Sequence, residues 1–296
     1  MHNLAQKPSV LSSPESGVAR LRSDIAELLL QKLEQGTLEL PILPEVSSQV
    51  IAMASDENGS AKALSDLIKR DASMAAHLLR VANSAYYAPA MQIASLQQAV
   101  SRLGLDTIRQ IAIAISCKTR AFSVLGHQKA VDDLFAHSLG TALYAQEIAR
   151  LRRANVEEAF LAGLLHDVGR PILLQALVDL HRDKQCKLDP AAIEPVLDAY
   201  HLTVGCALVE QWIPGGRLNE IIRYHHQPEL APNHRDAAAL TRLADDLSHF
   251  TLQTRPIDEA AIRNHPMLTL LSLYATNLDH LLAQKERISA AARNTM

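Results

Sequence analysis

The sequence predicts an all-α protein, and three observations carry that prediction. From about Val18 onward, apolar residues recur at the three-to-four spacing of a helix face. Strand-like alternation of apolar and polar residues is nearly absent. Helix start and stop signals stand explicitly in several places.

The segments follow in order. Residues 1–17, MHNLAQKPSVLSSPESG, are rich in Ser and Pro without apolar period, and read as a mobile leader. Residues 18–125 form an N-terminal helical part. There NGSAKALSDLIKRD has Ser60 as a cap, with Leu64, Leu67 and Ile68 inward. SLQQAVSRLG sets Ser95 and Gln98 as a capping box, and Gly104 as a stop. TIRQIAIAISCK then places Ile108, Ile111, Ala112 and Ile115 on one face. Asn83 and Ser84 of NSAYY are read as closing a helix, with Tyr86 and Tyr87 packing between subdomains. After a loop-like stretch near 120–130, residues 126–254 make a second helical part, and 255–296 read as one or two terminal helices.

Composition narrows the function. The 296 residues are 48% hydrophobic and 21% charged, ordinary for a soluble globular chain. A net charge of −3 and 4% aromatic residues argue against nucleic acid, which calls for a basic surface and stacking rings. Cys117, Cys186 and Cys206 form no CxxC pair and read as reduced core thiols. No 18-residue apolar span is evident, so a cytoplasmic protein without a membrane segment is expected.

Thirteen histidines are many, and position selects among them. His137 shares a helical face with Leu134, Thr141, Tyr144 and Ile148. His201 aligns with Gly205, Leu208 and Trp212, where Gly205 would admit a close neighbour. His225 joins Leu218, Ile221 and Ile222, with His226 beside it. Any one of these alone would be an ordinary hydrogen-bonded core residue. Buried imidazoles on several helices need partners for both ring nitrogens, and a shared cation meets that need jointly.

The pair His166-Asp167 in LAGLLHDVGR adds an electrostatic argument. With Asn155 and Glu158 as its N-terminal cap, a helix should run from Val156 to near Val168, stopped by Gly169 and Pro171. Asp167 would then sit in the last turn, where the helix dipole disfavours an anion and a cation is wanted. Arg170 could serve, and a divalent metal would serve better while also using His166. An acid from LTRLADDLSHF completes the set, with Asp245 and Asp246 both possible on helical geometry. Such imidazole and carboxylate ligands suit Fe, Mn or Zn, as one or two divalent ions.

LPILPEV (40–46), IKRDASMAAHLLRVANSAYY (68–87) and ASLQQAVSRLG (94–104) closely resemble the HDOD domain family, and the likeness runs through roughly residues 30–250. The resemblance implies the helical fold of the HD superfamily, an N-terminal helical subdomain packed on an HD-like one. It also implies a bacterial signalling or regulatory module, related to metal-dependent phosphohydrolases and acting through signalling proteins or a small phosphorylated ligand. The superfamily's metal-ligand signature maps onto His137, His166, Asp167 and Asp245. The extra histidines of HD-GYP phosphodiesterases are matched by His201, His225 and His226.

Two departures matter. Arg170 stands where HD-GYP proteins carry Lys, and no Gly-Tyr-Pro segment follows the double histidine. Cyclic-di-nucleotide hydrolysis is therefore not supported. Arg170 is the phosphate contact that the sequence offers, with Lys184 and Arg217 as looser alternatives. Phosphohydrolase activity on a nucleotide, cyclic nucleotide or other phosphoester stands as the second expectation.

Overall fold

The computed structural model describes residues 34–54, 60–84, 86–87, 91–184 and 190–294, together with Leu28, Gln31 and Lys32. The leader 1–17 and Cys186 lie outside the described residues. Helices account for the regular structure, and no strand occurs among the described residues.

The first four helices are α1 (Glu45–Ala54), α2 (Ala61–Ile68), α3 (Ala72–Ala82) and α4 (Leu96–Ser116). The starts of α2, α3 and α4 are set by short polar side chains that accept from otherwise orphaned amides. Ser60 accepts from the Ala63 N–H (3.1 Å), Asp71 from Met74 (3.0 Å) and Ser95 from Gln98 (3.2 Å). Gln98 returns a bond to the Ala94 N–H, one residue ahead of the cap itself. Gly104 does break the helix, at φ 82° and ψ 164°, but the chain resumes helical winding at once within α4.

That resumption lets α4 serve two cores. Ile108, Ile111, Ala112 and Ile115 pack with Val50, Leu64, Ile68, Met74 and Leu78 in the N-terminal core. Ile113 and Ala114, on the other side of the helix, belong to the second core. Tyr86 and Tyr87 reinforce the seam: Tyr86 packs on the second core and Tyr87 on the first, with their rings edge to face. Asn83 donates to the Leu79 carbonyl at the end of α3 and also to that of Ile93, as a helix-closing residue should.

A π-helical turn, Cys117–Ala121, leads to the second part: α5 (Gln128–Arg152), α6 (Val156–Leu165), α7 (Gly169–Lys184), α8 (Pro190–Trp212), α9 (Arg217–Tyr224) and α10 (Arg235–Leu252). Helix α5 is the hub, buried on every face from His137 to Ala149. Helix α6 lies so close to it that a Cβ on Gly163 would fall 2.7 Å from the Ala142 Cα. Asn155 caps α6 through the Glu158 N–H (2.9 Å), as the sequence predicts.

The far end of α6 differs from the sequence reading. The helix closes at Leu165, residues 166–168 form a turn, and Gly169 begins α7. Gly169 and Pro171 open a helix here and stop none, because Pro is compatible with a first helical turn. The stretch Val156–Asp183 is long and apolar enough by composition to cross a membrane, contrary to expectation, but 83% of its apolar window is buried inside the protein.

Four short helices finish the described chain: α11 (Glu259–Arg263), α12 (Pro266–Leu270), α13 (Ala275–Ala283) and α14 (Lys285–Asn294). The sequence suggests one or two; caps at Asp258 and His265 and the proline at 266 divide the segment further. Ile262, Leu268, Leu281 and Ile288 join the second core. Cys117 and Cys206 are buried and free.

Candidate metal centre

Five elements deliver polar side chains to one buried point. His137 comes from α5, His166 and Asp167 from the turn between α6 and α7, and His201 from α8. His225 and His226 follow directly on α9, and Asp245 comes from α10. All are buried except His226, which reaches the surface.

The side chains form two groups, in each of which one ligand atom per residue lies within 4.8 Å of the others. One group is His137, His166 and Asp245. His137 Nε2 lies 3.3 Å from His166 Nε2 and 3.0 Å from Asp245 Oδ1, and His166 Nε2 lies 3.6 Å from that oxygen. The other is Asp167, His201, His225 and His226. His201 Nε2 lies 3.3 Å from Asp167 Oδ1 and 3.1 Å from His226 Nε2. Asp167 joins the groups, since its Oδ2 is 3.8 Å from His166 Nε2.

Backbone carbonyls fix the rings. The Nδ1–H of His166 donates to the Gly163 carbonyl and that of His225 to Ile222, both at 2.7 Å. His201 Nδ1 lies 3.0 Å from the carbonyls of Leu197 and Asp198. A hydrogen on Nδ1 leaves Nε2 with its lone pair, the tautomer a metal ligand needs.

The adjacent acids are now distinguishable. Asp245 is 1% exposed and faces the histidines, whereas Asp246 pairs with His265 (2.9 Å) and Arg242 (3.1 Å). The dipole argument for Asp167 is corrected. The residue sits just before the N-terminus of α7, and Arg170 N–H donates to its carbonyl, so the following helix dipole favours the carboxylate.

Arg170 already has carboxylate partners. It is 7% exposed, with its guanidinium held by Glu194 (2.6 Å) and Asp198 (2.7 Å) and 3.9 Å from Asp167. A phosphate would have to displace those carboxylates. Arg217 pairs with Glu158 and lines a different groove, and the Lys184 side chain lies outside the described residues.

Sequence reasoning missed His249. Its ring stacks on His137 (centroids 4.0 Å, 17°), its Nε2 lies 3.3 Å from Asp245 Oδ1, and Thr254 Oγ1 is 2.6 Å from Nδ1. The signal was present: His249 is four residues after Asp245, on the same helical face. Glu194 and Asp198, also four apart, were missed likewise. A cavity of about 680 Å³ reaches the centre past His137, Asp167 and Arg170, with His249, Glu194 and Asp198 on its walls.

Electrostatics disfavours the protonated forms of Asp167, Asp245, His225 and His226. Burial alone would raise Asp167 and Asp245. The charges of His166, His201 and Arg170 hold Asp167 far below the usual carboxylate range, and His137 and His166 do so for Asp245. Burial lowers His225 well below the usual imidazole value, aided by its histidine neighbours. It takes His226 to about 4 and His249 to about 3. His166 moves the other way: burial opposes its charge, but Asp167 and Asp245 outweigh that.

A stability profile follows for the metal-free protein. An unfolded histidine takes up its proton near 6.5. His226 and His249 resist that proton until about 4 and 3, so the unfolded chain binds more protons across that window and acid favours it. The lowered Asp167 and Asp245 add to the loss as pH falls further. Raised His166 has the opposite sign, its contribution being lost only as pH rises. With four depressed histidines, His77 among them, against one raised, urea midpoints should fall steadily from pH 6.5 to 4. A flat or rising midpoint would contradict this balance.

Known proteins share this fold. The HDOD domain model matches residues 40–228. The chain belongs to the HDOD domain family. Among solved structures, an HDOD domain protein of unknown function from Geobacter sulfurreducens superposes with a TM-score of 0.68 at 25% identity, covering 94% of this chain and 99% of that one. A candidate metal-dependent phosphohydrolase from Shewanella amazonensis SB2B gives 0.73 at 21% identity, covering 92% and 99%. An uncharacterized protein of Treponema pallidum (strain Nichols) is 24% identical over 204 residues, 64% of this chain. This HDOD chain spans only 39% of that relative's length.

Proposed function

We propose that this HDOD protein is a cytoplasmic signal-transduction module that holds divalent metal at a retained HD site. One observation carries the reading. His225 Nε2, Asp167 Oδ1 and Asp245 Oδ1 are buried and make no well-formed hydrogen bond, although they sit in the two adjoining ligand groups with His201 Nε2 3.3 Å from Asp167 Oδ1 and His137 Nε2 3.0 Å from Asp245 Oδ1. Unpartnered buried polar atoms are costly, and a cation would satisfy them together. The nitrogen and oxygen donor set suits Fe, Mn or Zn.

His137, His166, Asp167 and Asp245 would hold one ion, and Asp167, His201 and His225 supply donors toward a second. Bound metal supplies Lewis acidity toward phosphoryl oxygen. The chain's own part is to keep Nε2 lone pairs fixed by carbonyls and to hold both aspartates ionised. Its partners would be signalling proteins or a small phosphorylated ligand, with neither nucleic acid nor membrane involved.

A second reading, phosphohydrolase action on a nucleotide, cyclic nucleotide or other phosphoester, is favoured by the cavity that opens onto His137 and Asp167. Against it, Arg170 is already engaged by Glu194 and Asp198.

The test is elemental analysis of purified, tag-free protein. One or two equivalents of Fe, Mn or Zn are expected, and chelation should lower Tm by on the order of 5 °C, restored by metal. Protein that is metal-free as purified, with a Tm indifferent to added metal, would overturn the reading. Phosphate release from a phosphoester panel, dependent on the metal, would move the protein to the second reading.

A further inference from the structure

His226 differs from the other histidines in what holds its Nδ1. His166, His201 and His225 each place Nδ1 against a backbone carbonyl, whereas His226 Nδ1 faces Arg242 Nη1 at 3.2 Å. A guanidinium has five donors and no acceptor, so His226 Nδ1 must accept. In a neutral ring the hydrogen then sits on Nε2, which points at His201 Nε2 3.1 Å away. His201, with its own hydrogen on Nδ1, can accept that bond.

Arg242 does not hold this position by chance of a free side chain. It is 3.1 Å from Asp246 Oδ2 and 3.9 Å from Asp245 Oδ2, and Asp246 is in turn fixed by His265. Ligation through His226 Nε2 would shift the hydrogen to Nδ1. Two donors would then face each other across 3.2 Å, with a permanent positive charge beside the incoming cation.

We infer that Arg242 restrains the second half of the centre, holding His226 as a hydrogen-bond donor to His201 and so making occupancy by two ions unequal. This rests on the metal-binding reading above and deepens it. The half formed by His137, His166 and Asp245 fills first. The half with His201 and His225 lacks its His226 ligand until Arg242 is drawn away, which makes the second ion conditional on whatever competes for the guanidinium, an anionic ligand being the natural class.

Metal-free full-length protein titrated with Mn(II) tests this, by calorimetry and by EPR. Wild type should take one ion tightly, without spin coupling, and a second at least ~10-fold more weakly, the scale of outer-shell effects on metal affinity. R242Q removes the charge and offers a carbonyl that can accept from Nδ1–H. It should tighten the second ion by at least ~10-fold and yield a coupled Mn(II) pair, a gain abolished in R242Q/H226Q. R242K, still cationic and donor-only, should stay like wild type. Should R242Q fail to fold, R242M, uncharged and without a donor, takes its place and should show the same gain. Two equal, coupled ions in wild type, no gain in the uncharged Arg242 variant, or a gain that survives the added H226Q would each overturn the inference. No Mn(II) bound by wild type at all would instead fail the metal-binding reading on which it rests.

Discussion

Asp167→Ala is expected to reduce bound divalent metal to background, a larger effect than loss of any single histidine. Its carboxylate is shared. Oδ1 lies 3.3 Å from His201 Nε2 and Oδ2 lies 3.8 Å from His166 Nε2, so the substitution removes a donor from both groups at once. It also removes one of two buried anions that draw a cation into a site otherwise made of imidazoles. Without it the positive charge of Arg170, which is 3.9 Å from Asp167, would stand unscreened beside an incoming divalent ion. Stability of the metal-free protein should fall by only about 2 kcal/mol, because Arg170 keeps Glu194 and Asp198. Metal content by elemental analysis is the measurement, with Asp246→Ala as control. Asp246 faces His265 and Arg242 and not the histidine cluster, so that variant should keep its first ion. Wild-type metal content in Asp167→Ala would show that the cluster is not the site.

Helices were legible in the sequence wherever one face was apolar. Ile108, Ile111, Ala112 and Ile115 fall together in the N-terminal core as their spacing requires. The histidines on inner faces were legible for the same reason. Three other features were not, each because tertiary position decides it. Gly169 reads locally as a helix stop, yet it is glycine because α8 passes against it. Asp245 and Asp246 are adjacent on one helix, and only the packing of α10 tells which turns inward. Arg242 precedes both acids by three and four residues, a spacing normally read as a solvated ion pair. Its contact with His226, in the turn after α9, leaves no local trace.

Gly169→Ala should be the most damaging of the glycine-to-alanine changes among the described residues. A Cβ there would lie 2.0 Å from the His201 carbonyl oxygen and 2.8 Å from the Gly205 amide nitrogen. Both are backbone atoms inside α8, so no rotamer change relieves the overlap, and α7 and α8 must separate. That opens the packing among Leu173, Leu177, Leu197, Val204 and Leu208. Overpacking that forces backbone shifts costs ~3 kcal/mol, and Tm should drop by roughly 6–10 °C. Gly205→Ala faces the same contact from the other side, where the nearest atom is the Gly169 nitrogen at 3.3 Å, and should cost about 1 kcal/mol. The ordering is the informative result, since helix propensity alone would make both substitutions stabilising. The clash also bears on the metal. His201 is the residue pushed, so its Nε2 leaves the 3.3 Å approach to Asp167, while His137, His166 and Asp245 stay in place. Gly169→Ala should therefore weaken the second ion selectively, in the same Mn(II) titration in which R242Q strengthens it. Equal stability of the two glycine variants would mean that α7 and α8 are not held at this contact.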